Sequence, residues 1–213
     1  MNHITLVGYY RGLGYHLRRL IILIISGLLA ACSLVPQSGA PTVIVAENTT
    51  VTLPAPNRLG YQLSASQLIS AAWVVDGKES QQKLPVQLQI SPEEVVLAGF
   101  SSWGTRILSL RYNGDAITTE VMSGLQNTLP QPEQVLYNLM LTLWPISAWE
   151  APFNQIGWRI VEDQNSRSIF NNSGEKVIDI QYSHADRLKG NIEFHQLKEQ
   201  FSISIQTLQY QLN

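Results

Sequence analysis

The sequence predicts a mainly β fold with α (α+β), an open antiparallel half-barrel with one helix covering its concave, apolar face. Apolar and polar residues alternate with a period of two through most of the chain after Leu59, which is typical of half-buried strands. Between Pro132 and Trp144 the period changes to that of an amphipathic helix. Because an antiparallel sheet buries only one face, a helix laid across that face encloses an apolar interior.

The first 31 residues have the organisation of an export signal. Arginines at positions 11, 18 and 19 precede an apolar run that begins at Leu20, and small residues follow up to Ala31. This order is typical of secretory signals. A transmembrane anchor is the alternative, but the apolar run covers about a dozen residues, whereas a spanning helix needs roughly 20. We therefore expect residues 1–31 to be a cleaved signal peptide.

Cys32 is expected to carry a lipid. The sequence Leu29-Ala30-Ala31-Cys32 matches the lipobox of bacterial lipoproteins, in which the thiol forms a thioether with a diacylglyceryl group. Cys32 is also the only cysteine in the chain, which argues against a disulfide framework. Serine rather than aspartate at position 33 is typical of lipoproteins sorted to the outer membrane. We expect lipid anchoring at the periplasmic face of the cell outer membrane.

The mature chain divides into a tether and one domain. Residues 32–58 are rich in Pro, Ser, Thr and Ala, which predicts a flexible tether. Residues 59–213 are enough for one domain with its own core. The charges nearly cancel, with 14 Lys and Arg against 16 Asp and Glu, and no basic patch indicates a nucleic-acid partner. We expect a monomer.

Strands are predicted on both sides of the helix, each bounded by turn residues. Asn113-Gly114-Asp115 is a strong hairpin signal before the helix, and Asn172-Ser173-Gly174 marks a turn after it. The predicted strand segments, in chain order, are 61–73, 86–90, 95–100, 108–112, 116–122, 158–161, 168–170, 177–182, 192–194 and 201–206.

The predicted helix runs from Pro132 to Trp144. Its apolar residues at positions 135, 136, 139, 140 and 143 fall on one helical face, as expected for a helix that packs on a sheet. Pro132 suits the first turn, and Pro145 ends the helix. A short connection rich in aromatic residues, which include Trp149 and Phe153, is expected to lead back to the strands.

The sequence contains no evident catalytic set, and we predict no enzyme activity, metal site or cofactor. His184 and His195 are the only histidines beyond the signal region, and neither has a partner at metal-ligand spacing. Ser101 and Ser102 lie between glycines, but their spacing does not match the G-x-S-x-G nucleophile motif. The phosphate-loop and dinucleotide fingerprints are also missing from the sequence.

Trp103 differs from the other tryptophans in its surroundings. Trp73 and Trp158 lie in strand patterns, so we expect them in the core. Trp103 lies in the polar turn Ser101-Ser102-Trp103-Gly104, where two interpretations stay open. Its ring either packs locally on its own strands or contacts a membrane or a lipidic ligand.

Several segments resemble a family of proteobacterial outer-membrane lipoproteins whose genes often lie beside aryl polyene pigment biosynthesis genes. These segments are 97–104 (LAGFSSWG), 108–114 (LSLRYNG) and the helix end at 141–145 (LTLWP). That family is in turn similar to LolB, the outer-membrane lipoprotein receptor, and to its periplasmic partner LolA. Those carriers are open antiparallel barrels with helices over the mouth, and they hold acyl chains in the cavity.

The resemblance implies a lipid or acylated cargo, a periplasmic LolA-like carrier as a partner, and a membrane or cargo loop at Trp103. LolB has an exposed leucine at the corresponding turn, so tryptophan keeps an apolar tip there. Which strand faces point into the cavity stays open at this level. The expected cavity-lining residues are Leu136, Leu139, Met140, Leu143, Trp144, Phe170, Ile180, Phe194 and Ile203.

Together these observations predict an outer-membrane-anchored lipoprotein that binds and transfers a hydrophobic cargo in the periplasm. The cargo would be an aryl polyene lipid or a lipoprotein acyl chain. The alternative is a non-catalytic envelope scaffold or binding module without a lipid cargo, which would dock by its sheet edge or by Trp103.

Overall fold

A computed structural model describes residues 39–75, 78–125, 131–198 and 201–213. The predicted signal peptide, Cys32 and the first part of the predicted tether lie outside these ranges. Within them, the helices are a 3-10 helix at Pro56–Leu59, α1 (Pro132–Leu143) and α2 (Ile146–Gln155). The strands are β1 (Thr42–Ala46), β2 (Thr49–Thr52), β3 (Leu63–Val75), β4 (Lys78–Ile90), β5 (Val95–Phe100), β6 (Arg106–Tyr112), β7 (Ile117–Val121), β8 (Arg159–Asp163), β9 (Ser166–Phe170), β10 (Lys176–Tyr182), β11 (Asn191–Gln196) and β12 (Phe201–Leu212).

Ten of these strands form one antiparallel sheet in the order β7-β6-β5-β4-β3-β12-β11-β10-β9-β8. Only the β3–β12 pair is not between chain neighbours, so the sheet consists of two meanders joined by the first and last long strands. No ladder within the described residues joins the edge strands β7 and β8, and the sheet stays open. The predicted fold class, an open antiparallel sheet with helix, is confirmed.

Burial alternates along the sheet strands with the predicted period of two. In β5, Val95 and Leu97 are buried, whereas Val96 and Ala98 between them are only half-buried. The predicted turn at Asn113 is confirmed, since its side-chain oxygen accepts hydrogen bonds from the backbone N–H groups of residues 115 and 116 at 3.1 and 2.9 Å. Such asparagine turns set the register of the strands that they join.

Helix α1 confirms the predicted helix and is more deeply enclosed than an amphipathic pattern implies. Every residue from Leu136 to Leu143 is buried, because the sheet covers one side of the helix and β1 contacts it as well. A helix buried on all sides has no polar face turned to solvent. Its polar residues Asn138 and Thr142 therefore lie inside the domain.

The predicted connection after α1 is in fact a second helix, α2. It contains Pro152 in its interior, a residue that seldom occurs inside a helix. An aromatic cluster stabilises this region: the Trp149 ring centroid lies 5.6 Å from that of Tyr137 and 5.4 Å from that of Phe153, and Phe153 stacks on Trp158 at 6.1 Å. The cluster joins α2 to α1 through Tyr137 and Trp149, and α2 also contacts β8 at the edge of the sheet.

Two short strands lie within residues 32–58, the range assigned above to the tether. Val43 in β1 and Val51 in β2 are paired and buried, and the Leu53 N–H donates to the Pro41 carbonyl at 2.9 Å. The compact unit spans Gly39–Asn213. The packed domain thus includes the second half of the predicted tether, whose alternating valines were too few to stand out in a Pro- and Thr-rich segment.

Charged and polar side chains of the sheet hold the C-terminal end of α1. Arg167 donates to the Leu141 carbonyl, and the Tyr182 hydroxyl donates to the Thr142 carbonyl at 3.0 Å. Glu162 bridges Arg167 and Arg187. Cations at this end of a helix satisfy the last carbonyls and oppose the negative end of the helix dipole, so the group fixes α1 over the sheet.

Candidate ligand cavity

A cavity of about 360 Å³ lies between α1 and the sheet. Its volume falls within the range of about 300–1,000 Å³ that is usual for small-molecule sites. The sheet contributes Ile69, Ala71, Trp73, Gln82, Leu84, Val86, Leu97, Leu108, Phe194, Phe201, Ile203 and Ile205. Helix α1 contributes Gln134, Val135, Asn138, Leu139 and Thr142. Six strands and one helix therefore face the same space.

The cavity wall is apolar and uncharged. Aliphatic and aromatic side chains form most of it, and the described lining residues include no Asp, Glu, Lys, Arg or His. Such a wall offers no counter-ion for an ionised group, and burying an isolated charge in an apolar environment is very unfavourable. The arrangement suits the hydrocarbon part of a ligand.

The cavity opens toward the tip of the β3–β4 hairpin. Along β3, Leu63 and Ala65 are fully buried, whereas Ala71 and Trp73 on the same face are only half-buried. Strand β4 shows the same gradient, since Gln82 near the hairpin tip is exposed. Exposure that rises along one face toward one end marks the mouth, and the well-packed residues at the other end close the cavity.

One line of polar side chains runs along the cavity wall on α1. Gln134, Asn138 and Thr142 are spaced four residues apart and so lie on one helical face. The Gln134 Nε2 group donates to Asn138 Oδ1 at 3.0 Å, and the Thr142 hydroxyl donates to the Leu139 carbonyl at 2.7 Å. We call these three residues the polar stripe. The sequence interpretation did not identify it, although its spacing within the predicted helix is visible in the sequence.

Three of the nine expected lining residues line the cavity. Leu139, Phe194 and Ile203 do so, one from the helix and two from β11 and β12. These strand residues pair directly in the sheet ladder, so their side chains share one face. The sheet face that points inward, left open by the sequence, is therefore the face of Phe194 and Ile203.

The other six expected lining residues lie elsewhere in the domain. Four belong to α1 or its end (Leu136, Met140, Leu143 and Trp144) and are buried in the core away from the cavity. Ile180 is also buried in the core. Phe170 is half-buried, with the Arg159 guanidinium 4.8 Å from its ring centroid. The apolar face of α1 indicated the wrong side, because the side that faces the cavity carries the polar stripe.

Trp103 lies at the tip of the β5–β6 hairpin and is 92% exposed. The Ser101 hydroxyl oxygen accepts hydrogen bonds from the N–H groups of Trp103 and Thr105 at 3.3 and 3.2 Å. Gly104 has a φ of +80°, a conformation that glycine adopts without strain. The turn therefore presents the indole to the outside instead of packing it on its own strands.

The Trp103 turn and the cavity mouth lie at the same end of the sheet. Gly99 of β5 pairs with Val86 of β4, and β5 then continues toward the level of Leu84, next to the mouth. Because β4 and β5 pair antiparallel, their register fixes the position of the β5–β6 turn relative to the mouth. The β5–β6 turn thus projects beside the opening of the cavity.

The described residues offer little basis for other kinds of site. No group of three or more His, Cys, Asp or Glu residues in the described ranges is placed to hold a metal ion. In the same ranges, no helix combines the length and apolar character that crossing a bilayer requires. The cavity is therefore the feature from which a function can be argued.

Comparisons with known proteins identify a family and several distant structural likenesses. A protein-family model described as "Protein of unknown function (DUF3261)" matches residues 64–209, whereas no curated protein matches. Among solved structures, a LolA superfamily protein from Nitrosomonas europaea has a TM-score of 0.41 and 9% identity, covering 76% of this chain and 94% of that one.

Two further solved structures have similarly low scores. A putative outer membrane lipoprotein-sorting protein domain from Vibrio parahaemolyticus has a TM-score of 0.40 and 5% identity, with coverage of 72% of this chain and 86% of that one. A DUF1329 family protein from Desulfovibrio piger has a TM-score of 0.34 and 7% identity, with coverage of 76% and 94%.

Proposed function

The chain belongs to the DUF3261 family, and we propose that it binds a hydrophobic cargo between α1 and the sheet and passes it to or from a membrane. The observation that carries this proposal is the apolar, uncharged cavity of about 360 Å³. A cavity of this size accommodates on the order of ten methylene groups, if each takes about the 30 Å³ that a water molecule occupies in the liquid.

The expected affinity suits a carrier. Burial of ten methylene groups contributes roughly 8 kcal/mol, which corresponds to a dissociation constant of about 1 μM. The cost of association and of ordering the ligand chain weakens binding and raises the dissociation constant above this value. A ligand held by such interactions alone is retained in water, where its free form is poorly soluble, and is readily released to a bilayer.

The proposed anchor is a lipid on Cys32. Nine residues lie between Cys32 and the start of β1 at Thr42, and a chain of that length reaches at most about 35 Å. The domain would therefore stay close to the membrane that holds the lipid. Ser33 supports the outer membrane, facing the periplasm, as that membrane.

Trp103 is the proposed contact between the domain and the bilayer. Its indole is exposed beside the cavity mouth, and tryptophan favours the interface between lipid headgroups and water. The donor of the cargo would be a periplasmic LolA-like carrier. The cargo itself would be an aryl polyene lipid or a lipoprotein acyl chain, as the family resemblance implies.

A cavity-filling substitution tests the proposal. Ala71 lines the cavity and Ala72, its neighbour on β3, does not, because successive strand residues point to opposite faces. We expect Ala71→Trp to weaken binding of the fluorescent hydrocarbon diphenylhexatriene by about tenfold or more, as the loss of two buried methylene contacts implies. Ala72→Trp is the matched control and should change binding by less than about twofold.

The measurement uses residues 39–213, which form a compact unit with its own core. Mass spectrometry of the purified protein would also detect lipid that remains bound. If the protein carries no lipid and takes up neither diphenylhexatriene nor a fluorescent fatty acid, the carrier proposal fails. The alternative, a scaffold without a lipid cargo, would then be favoured.

A further inference from the structure

Asn138 presents a hydrogen-bond donor to a mostly apolar cavity. The residue is only 6% exposed and lines the cavity. Its Oδ1 atom accepts a hydrogen bond from Gln134, whereas Nδ2 donates to no residue in the described ranges. An amide nitrogen carries two N–H groups, and a ligand that fills the cavity removes them from water, which is costly when the ligand offers no acceptor. A saturated hydrocarbon in the cavity would leave this donor unpaired.

The lining excludes an ionised group as the acceptor. The described lining residues are all uncharged. The nearby guanidinium groups of Arg167 and Arg187 are both paired with Glu162 and face the end of α1. A carboxylate or phosphate at Asn138 would be buried without a counter-ion, which is strongly unfavourable. The acceptor that suits this position is therefore neutral.

The position of Asn138 along the cavity indicates where that acceptor lies. Gln134 is half-buried near the N-terminal end of α1, and Asn138 is one turn further in, which corresponds to about 6 Å along the helix axis. Leu139 and Phe194 continue the apolar wall around it. A charged headgroup would remain at the mouth, whereas a group next to Asn138 is already inside.

We propose that the cargo is a neutral acyl compound, whose chain carries an ester or amide carbonyl inside the cavity, and that Asn138 Nδ2 donates a hydrogen bond to this carbonyl. This inference rests on the proposed function, because it requires that the cavity holds a ligand. It specifies the chemical class of the cargo, since an ionised fatty acid has no neutral carbonyl and a plain hydrocarbon has no hydrogen-bond acceptor.

The test compares two probes on the unit of residues 39–213. Diphenylhexatriene has no hydrogen-bonding group, and methyl decanoate, measured by its displacement of diphenylhexatriene, has an ester carbonyl. Asn138→Leu should strengthen diphenylhexatriene binding, because a donor that this hydrocarbon leaves unpaired is removed, and should weaken methyl decanoate binding about three- to tenfold, the effect of one net hydrogen bond. Decanoate at pH 8 should bind the wild-type protein more weakly than its methyl ester.

Further variants and outcomes keep the inference separate from the proposed function. Asn138→Ser retains a hydroxyl donor and should recover part of the preference for the ester, and it serves as the test if Asn138→Leu does not fold. If diphenylhexatriene binds all variants and methyl decanoate binds wild type and Asn138→Leu equally, the role of Asn138 is refuted while the carrier proposal stands. If wild type binds neither probe, the proposed function itself fails.

Discussion

Tyr112 joins the N-terminal strands to the sheet through one buried hydroxyl group. The ring is fully buried in β6, and its hydroxyl donates to the Pro54 carbonyl at 3.1 Å, with the Leu53 and Gly114 carbonyls at 3.4 Å. Burial, assisted by the negative charge of Asp115, raises the pKa of Tyr112 from 10.0 to about 12. The neutral phenol is thus the form that the fold requires.

The raised pKa of Tyr112 predicts a loss of stability in alkali. The unfolded chain releases this proton from about pH 10, whereas the folded chain keeps it until about pH 12, so the contribution is complete below pH 10 and disappears as pH rises through 12. Tyr112→Phe should lower the free energy of unfolding by about 1 kcal/mol at pH 7. The difference in the free energy of unfolding between the wild type and Tyr112→Phe should then narrow as pH rises. Toward about pH 11.5 the variant should be the more stable protein, as measured by urea unfolding. A gap that stays constant over this range would contradict the role given to Tyr112.

At the same scale, the polar stripe shows why single residues matter more than average hydropathy. Gln134 and Asn138 lie in a helix whose remaining inner residues are mostly apolar, and only their spacing of four places them together on the cavity wall. The periodicity of apolar residues gives no indication of these two polar residues. The sequence contains the stripe, but its significance depends on which side of α1 faces the cavity.

At the scale of elements, the attachment of α1 decides whether the cavity keeps its shape. Arg167 is fully buried and donates to both Glu162 and the Leu141 carbonyl. Burial lowers the pKa of Arg167, while Glu162 and Tyr182 oppose this shift and a second cation, Arg187, adds to it. Loss of the guanidinium would leave a helix carbonyl without a donor and Glu162 with Arg187 as its remaining cation.

Replacement of this arginine should therefore destabilise the whole domain. We expect Arg167→Met to lower the free energy of unfolding by about 3 kcal/mol, since charged hydrogen bonds to a buried carbonyl and to a carboxylate are lost together. Arg111→Met is the matched control, because Arg111 forms an exposed ion pair with Glu94 and should contribute less than about 1 kcal/mol. Chemical denaturation of both variants provides the comparison, and equal losses would show that the buried arginine has no special role.

On the scale of the whole molecule, the register of the sheet brings the cavity mouth and the Trp103 turn to one end. The long β3–β4 hairpin, the β5–β6 turn and the start of β12 all point that way. A ligand that leaves the mouth therefore emerges beside the exposed indole. This arrangement suits a domain that docks on a bilayer with one end and transfers its cargo there.

Trp103 variants test this arrangement. Trp103→Glu should leave diphenylhexatriene binding unchanged, because the indole lies outside the cavity, and should slow transfer of the bound probe to vesicles of phosphatidylethanolamine and phosphatidylglycerol by about tenfold, since a charged tip does not enter the interface. Trp103→Leu keeps an apolar tip and serves as the control, with a rate within about threefold of wild type. Transfer by Trp103→Glu at the wild-type rate would remove the turn from the mechanism.

The sequence by itself determined the alternation of strands, the single long helix and the polar turns, including the turn that carries Trp103. These features depend on local periodicity and turn chemistry, which neighbouring residues specify. The helix α2 and the strands β1 and β2 were missed, because a proline inside a short helix and three valines in a Pro- and Thr-rich segment give weak local signals. Tertiary contacts with α1 and with the aromatic cluster stabilise these elements instead.

Only the tertiary structure decided which residues form the cavity. Periodicity assigned Leu136, Met140 and Leu143 to the same wall as Leu139, whereas the side of α1 that lines the cavity is centred on the polar stripe and includes only Leu139 of these four. Likewise, strand alternation predicts two faces but not which of them points inward. The open, mainly β fold with its helix was therefore predictable from the sequence. The residues that would contact a ligand depend instead on the rotation of α1 about its axis and on the side chains that hold its C-terminal end against the sheet.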